Sequence, residues 1–223
     1  MSETQEIIDI GNGFYTISDI AGILSIPRTK VSYLVRKYWN GKIKNYRNHN
    51  FIYDIDGALS VNFQTLIELK VFYTLKEFGI SYKKVFEVHK FLSEEINTNY
   101  PFAHSTLYAS GSDILFEYRD KTLIKADSAK QLAIRDIIEP FSQKIEYNSK
   151  KIAKAFYPLG KKHNVIVDPV HQFGEPTIKG TNILTSTIYQ MYKDGDTIDL
   201  ISKIYQIDNL SIKDAIEFHE KAA

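Results

Sequence analysis

Between Thr16 and Tyr38, apolar residues recur at helical spacing in two short runs, and a proline stands between them. Ile17, Ile20, Ala21 and Leu24 mark the first run; Val31, Leu34, Val35 and Tyr38 mark the second. Residues three and four apart share a helix face, so each run predicts a short amphipathic helix. Gly11-Asn12-Gly13 is a turn signal ahead of the first helix. Thr16 is placed to cap it, with Asp19 near the positive helix end. Ser25-Ile26-Pro27 breaks the pattern, and proline is favoured in a first turn, so the second helix starts near Pro27. Ala21 is small enough to let the two helices approach, Ile26 plugs the turn and Val31 anchors the second helix. Two short helices joined in this way describe a helix-turn-helix.

The distribution of charge points the same way. The whole chain of 223 residues carries 28 Lys+Arg against 27 Asp+Glu, a net charge of +1 that argues against a strongly basic nucleic-acid binder. Resolved along the chain, residues 20–53 contain no acid and seven bases: Arg28, Lys30, Arg36, Lys37, Lys42, Lys44 and Arg47. Residues 164–223 hold five bases against nine acids. A locally basic head on a near-neutral body can still steer toward DNA. On the second helix Arg28, Thr29, Lys30, Ser32, Tyr33, Arg36 and Lys37 are left to face outward. The first residues of such a helix enter the major groove, where Arg or Lys pairs with guanine and Ser or Thr reaches base or phosphate.

Gly41 to Tyr53 follows, with Ile43 and Phe51-Ile52-Tyr53 flanking an Asn-rich centre, and reads as a hairpin. A basic hairpin after a recognition helix is a wing. Lys42 and Lys44, with Tyr46, Arg47 and His49, are its candidate contacts to phosphate or minor groove, and Trp39 is expected to pack beneath it. Phe63, Leu66, Ile67, Val71, Leu75 and Phe78 predict a long helix ending before Gly79. Ser81 caps another that carries Val85, Val88, Leu92 and Ile96. Leu107–Ser110, Asp113–Arg119 and Thr122–Lys125 read as an antiparallel meander, and Ala129 to about Tyr147 as a helix divided at Pro140. The last sixty residues hold three short helical patterns, Thr185–Asp194, Thr197–Tyr205 and Ser211–Glu220.

The expected fold is therefore mainly α with small β elements. Residues 1–100 form an N-terminal winged helix-turn-helix with its following helices. Residues 101–160 form a short antiparallel β-meander and helical connector, and residues 161–223 a C-terminal three-helix module.

Tyr15-Thr16-Ile17 through Val31, the hairpin and the Phe78-Gly79-Ile80-Ser81 junction resemble the MerR-type winged helix family. Asp168-Pro169, Gly174-Glu175-Pro176, Lys179-Gly180-Thr181, Asp194-Gly195, Tyr205 and the Ala215–Phe218 helix resemble a small three-helix domain of formerly unknown function, widespread in bacterial antitoxins. The whole order resembles a VapB-type antitoxin family. That resemblance implies a partner toxin with a PIN ribonuclease fold, neutralised by this chain, and repression of their shared operon by binding its own operator DNA. A homodimer or a hetero-oligomer with the toxin is expected, because one helix-turn-helix covers only a half-site. The alternative reading is a stand-alone dimeric MerR-like transcriptional regulator with a C-terminal sensing or dimerisation domain.

Enzyme, cofactor and metal chemistry are not expected. Cysteine is absent, which removes disulfides, thiolate metal sites and cysteine nucleophiles, and suits a reducing cytoplasm. No Walker loop, dinucleotide glycine motif or His-Glu-x-x-His helix occurs. The six His, at 49, 89, 104, 163, 171 and 219, show no ligand spacing. His89 reads as a core-edge residue and the Asp168–His171 pair as part of a turn. Gly174-Glu-Pro and Lys179-Gly-Thr read as the approach to a helix capped by Thr185 rather than as an anion cradle. No apolar run is long enough to span a membrane, and no signal peptide is visible.

Overall fold

The computed structural model describes residues 13–55, 57–105 and 139–222, and the expected meander at 107–125 lies outside them. The chain is mainly helical with small antiparallel sheets. Strand β1 (Tyr15–Thr16) leads into α1 (Ile17–Leu24) and α2 (Arg28–Leu34). A π-helical stretch (Val35–Ile43) and a short α3 (Lys44–Arg47) continue the same helical path. The hairpin β2 (Ile52–Ile55) and β3 (Ala58–Val61) follows, then α4 (Phe63–Glu77) and α5 (Tyr82–Glu95). β3 lies between β1 and β2 in a three-stranded sheet.

The hairpin thus sits one step later than its expected place at 41–53. Ile52 pairs with Val61 and Ile55 with Ala58; Gly57, at a positive φ of 79°, lies between the strands and donates its N–H to the Asp54 carboxylate at 2.9 Å. Gly41 lies inside the helix, and Asn48 ends it by adopting the left-handed conformation at φ 49°. Asn is one of the few residues that does so readily. Lys42, Lys44, Tyr46 and Arg47 are consequently helical rather than on a hairpin. Trp39 packs on Phe72 of α4 and His89 of α5, at ring distances of 5.3 and 6.4 Å.

Residues 139–142 are helical, but the helix expected to reach Tyr147 gives way to β4 (Ile145–Tyr147), which pairs with β5 (Ala153–Phe156). Asn148 closes that hairpin, its side-chain oxygen accepting the N–H groups of Lys150 and Ile152. Asn side chains favour such turns over helix. β6 (Val165–Ile166) and β7 (Thr177–Ile178) form a third small sheet. The three C-terminal helices are α6 (Thr185–Lys193), α7 (Ile198–Tyr205) and α8 (Asn209–Ala222). Thr185 opens α6 without capping it; its N–H and hydroxyl both donate to the Pro176 carbonyl.

Two hydrophobic cores result. The larger runs from Tyr15 through Trp39, Phe72, Phe102, Phe156 and Val167 to Phe218, and so crosses the expected boundaries near 100 and 160. The smaller is built of Ile178, Ile188, Ile201, Ile212, Ala215 and Ile216. His89, fully buried rather than at a core edge, lies 2.7 Å from the buried carboxylate of Glu68. The other Glu68 oxygen accepts the N–H groups of Phe102 and Ala103 at 2.6 and 2.8 Å. A buried charge persists only when paired in this way, and these bonds tie α4 to the chain leaving α5. Among the described residues no helix is long and apolar enough to cross a membrane.

Candidate nucleic-acid interface

The geometry of α1 and α2 starts from their ends. The Thr16 hydroxyl accepts the Asp19 N–H at 3.3 Å, and Asp19 accepts the Thr16 N–H at 2.8 Å. This reciprocal box satisfies donors that a helix start leaves orphaned. At the other end Ser25 is left-handed at φ 51°; its N–H donates to Gly22, and the Ile26 N–H donates to Ala21. The double bond stops α1 in a Schellman turn and drives Ile26 into the core, 3% exposed. Pro27 stands just before α2, its carbonyl accepting from Lys30 and Val31 at 2.8 and 3.1 Å.

Val31, Leu34, Val35 and Tyr38 are buried on one side of the continuing helix. Arg28, Thr29, Lys30, Tyr33, Arg36 and Lys37 are exposed on the other, with Ser32 half-buried among them. Arg28, Ser32 and Arg36, and likewise Thr29, Tyr33 and Lys37, recur at four-residue steps, with Lys30 exposed beside them. The Arg36 Nε donates to the Ser32 hydroxyl at 3.4 Å, and the Lys37 ammonium lies 5.1 Å over the Tyr33 ring. Burial, reinforced by Tyr33 and Tyr82, pushes the Tyr38 phenol up to about 12. Among the described residues none of the basic groups from 28 to 47 forms an ion pair with a carboxylate.

The other candidates turn toward the protein. The Lys42 ammonium lies over Tyr38 and Phe86, and Lys44 is half-buried. The Tyr46 hydroxyl donates to Glu94; burial and that carboxylate raise its pKa. Arg47 Nε donates to Asn99 at 2.8 Å, and His49 Nε2 is 3.2 Å from the Tyr100 hydroxyl. These residues fasten the end of the long helical path to the end of α5. At the turn of the true hairpin the Asp54 carboxylate accepts the Gly57 N–H, a charge opposite to that expected of the hairpin read at 41–53.

In the C-terminal module the Asp168–His171 segment is a turn: Asp168 accepts the Val170 N–H at 3.0 Å, and its carbonyl accepts from His171 at 2.9 Å. Gln172, Phe173 and Gly174 all have positive φ, leaving Phe173 71% exposed. Gly174 is required by its neighbour: a Cβ there would fall 2.1 Å from the Tyr15 hydroxyl. Tyr15 is buried, with no hydrogen-bond partner for that hydroxyl among the described residues, and burial with Asp168 nearby raises its pKa. The Gly-Glu-Pro segment is thus the seat on which the N-terminal sheet docks.

His163, Asp214 and Glu217 bring ligand atoms within 4.8 Å of one another, a set that could hold a divalent cation. Asp214, however, already meets His163 Nδ1 at 2.8 Å and the Asn164 N–H at 2.7 Å, and Glu217 accepts from Lys221. Those bonds pin α8 to the loop before β6.

Comparison with known proteins follows this division. A family model described as a protein of unknown function (DUF433) matches residues 165–219, about a quarter of the chain. An X-ray crystal structure of Rv2018 from Mycobacterium tuberculosis is similar in fold over most of the chain. It has a TM-score of 0.72 and 17% identity, covering 91% of this chain and 96% of its own. No curated protein matches.

Proposed function

We propose that this chain is a DNA-binding antitoxin of a type II toxin–antitoxin system. In this reading it represses its own operon through α1 and α2 and neutralises a PIN-domain-like toxin through its C-terminal region. The observation that carries the DNA half is the exposed face of α2 and the start of the π-helical stretch, where Arg28 and Lys30, then Arg36 and Lys37, stand without carboxylate partners among the described residues. The α1–turn–α2 unit then acts as the helix-turn-helix, with β2–β3 in the position of the wing. The acidic hairpin tip keeps away from phosphate, so binding relies on the helix. Two copies are needed to span a palindromic operator. The protein half is supported by the motif resemblance of residues 168–218. It is also supported by Leu200 and Ile204, one turn apart on α7 and 45% and 53% exposed. Apolar groups left exposed together mark contact sites more often than scattered ones.

The DNA half is tested with duplex from the chain's own upstream region. Lys30→Ala and Arg36→Ala lower affinity, and each lost phosphate contact removes roughly one unit of the log–log salt slope. Unchanged binding in both variants across salt refutes the assignment. The protein half is tested by co-expression with the product of the adjacent reading frame: the two co-purify, and Ile204→Asp abolishes it. The second reading, a stand-alone dimeric regulator with a sensing C-terminal region, is favoured by a cavity between the head and the body of the chain.

A further inference from the structure

That cavity, of about 440 Å³, opens where the end of α1, the middle of α4, the β4–β5 hairpin and the last turns of α8 meet. Small-molecule sites fall in a range of roughly 300–1,000 Å³ and combine apolar walls with a few placed polar groups. Phe141, Phe156 and Phe218 supply apolar wall here. Lys70, Lys144 and Lys221 supply three ammonium groups, and among the described residues no carboxylate lines the cavity.

Lys70 and Lys144 are held by carbonyls with no carboxylate partner among the described residues, whereas Lys221 is ion-paired with Glu217. Lys70 Nζ donates to the Leu24 carbonyl at 2.9 Å, and Lys144 Nζ to the Pro158 carbonyl at 3.0 Å. Lys221 donates to Glu217, which lies outside the lining. An ammonium carries three donors, and among the described residues each lysine uses one of them, which leaves donors for a further acceptor. Burial and then repulsion from Lys144 lower the pKa of Lys70; burial and then repulsion from Lys221 lower that of Lys144. An arriving anion would relieve that repulsion.

We propose that this cavity binds a small organic anion, a carboxylate or phosphate head on an apolar body, with the head among Lys70, Lys144 and Lys221 and the body against the phenylalanines. The site also reaches the reading head. Leu24 ends α1, and its carbonyl is one of those a helix end leaves without an internal partner. Lys70 supplies that partner and faces the cavity at the same time, so an anion that draws on Lys70 acts on the turn between α1 and α2. This coupling rests on the proposed DNA-binding role; the anion site does not.

Isothermal titration of the full chain tests the site, with octanoate and phenyl phosphate as probes, and octanamide and inorganic phosphate as controls. At least one organic anion binds saturably, about tenfold or more tighter than either control, a gap that one or two charge-assisted bonds supply. Which of the two binds tells carboxylate from phosphate. The Lys70→Gln/Lys144→Gln double variant loses about tenfold or more, with its circular dichroism unchanged. Should it fail to fold, Lys221→Gln serves, and weakens binding severalfold. The proposal is overturned if neither organic anion saturates, if octanamide binds equally well, or if a folded variant binds like the parent. Anisotropy with the upstream duplex reads the coupling. A saturating probe shifts DNA affinity; no shift refutes the coupling, whereas no DNA binding in either state refutes the reading head and leaves the anion site standing.

Discussion

The two hydrophobic cores are built differently. The large core mixes aliphatic side chains with aromatic ones, among them Tyr15, Trp39, Phe51, Phe63, Phe72, Phe102 and Phe156, and it encloses the buried Glu68–His89 contact. The small core is mostly isoleucine, drawn from β7 and the three C-terminal helices. They meet on one helix. α8 gives Ile212, Ala215 and Ile216 to the small core and Phe218 to the large one. A helix whose two faces serve two cores couples them, so the C-terminal module is a structural part of the N-terminal region and not an appendage. The left-handed seat at Gly174 under Tyr15 makes a second such joint.

The largest effect is expected at the first joint. Phe218→Ala should lower stability by about 3–5 kcal/mol, the usual cost of emptying a buried aromatic site. Ile201→Val, inside the small core, should cost only about 0.5–1.5 kcal/mol. Trp39, the sole tryptophan, sits in the large core and reports on it by fluorescence. If its urea midpoint ignores Ile201→Val, a change confined to the small core, the cores are independent and the coupling is refuted. Gly174→Ala comes next, at about 2–3 kcal/mol by differential scanning calorimetry. The added Cβ overlaps the Tyr15 ring, and a left-handed φ of 89° disfavours any side chain. Tyr15→Phe in the same chain should recover part of the loss, and strict additivity of the two changes would rule out the contact.

The smallest effect separates the cores by acid. His219 stacks on Tyr189 and lies 3.1 Å from the Thr185 hydroxyl, and burial holds its pKa below the ordinary value. The unfolded chain therefore binds the proton more readily. Stability associated with His219 is complete above about pH 6.5 and declines as the pH falls below that value. Urea unfolding at pH 7.5 and pH 5 should show this decline, and His219→Gln should reduce it. An unaltered pH slope in that variant would assign acid sensitivity elsewhere, for example to His104, whose pKa burial also lowers.

What could be read from the chain beforehand was what depends on near neighbours. The Thr16–Asp19 box, the break at Pro27, the Ser81 cap and the three C-terminal helices each rest on residues a few positions apart. The outward face of α2 follows from the same spacing. The misplaced hairpin shows the limit of that approach: Gly41 and the Asn-rich segment carry turn chemistry, but the apolar positions Val35, Tyr38, Trp39 and Ile43 hold the helix onto α4 and α5. Tertiary burial overrode local preference. Gly57 was the signal that marked the true turn. Glu68, amid Leu66, Ile67 and Leu69, could have been noticed as a charge on an apolar face. The cavity could not, since Lys70, Lys144 and Lys221 stand 74 and 77 positions apart.

Phe218 also sets a schedule for the newborn chain. At roughly 5–20 residues per second of synthesis, the 126 positions from Leu92 to Phe218 take about 6–25 s to make. For that interval the emerging head has Ile23 and Leu24 facing a gap that Phe218 will later help to line. The last helix therefore works as a keystone, and the head becomes complete only as the far end of the protein arrives. A chain built this way delays the completion of its large core until its C-terminal helix has been translated.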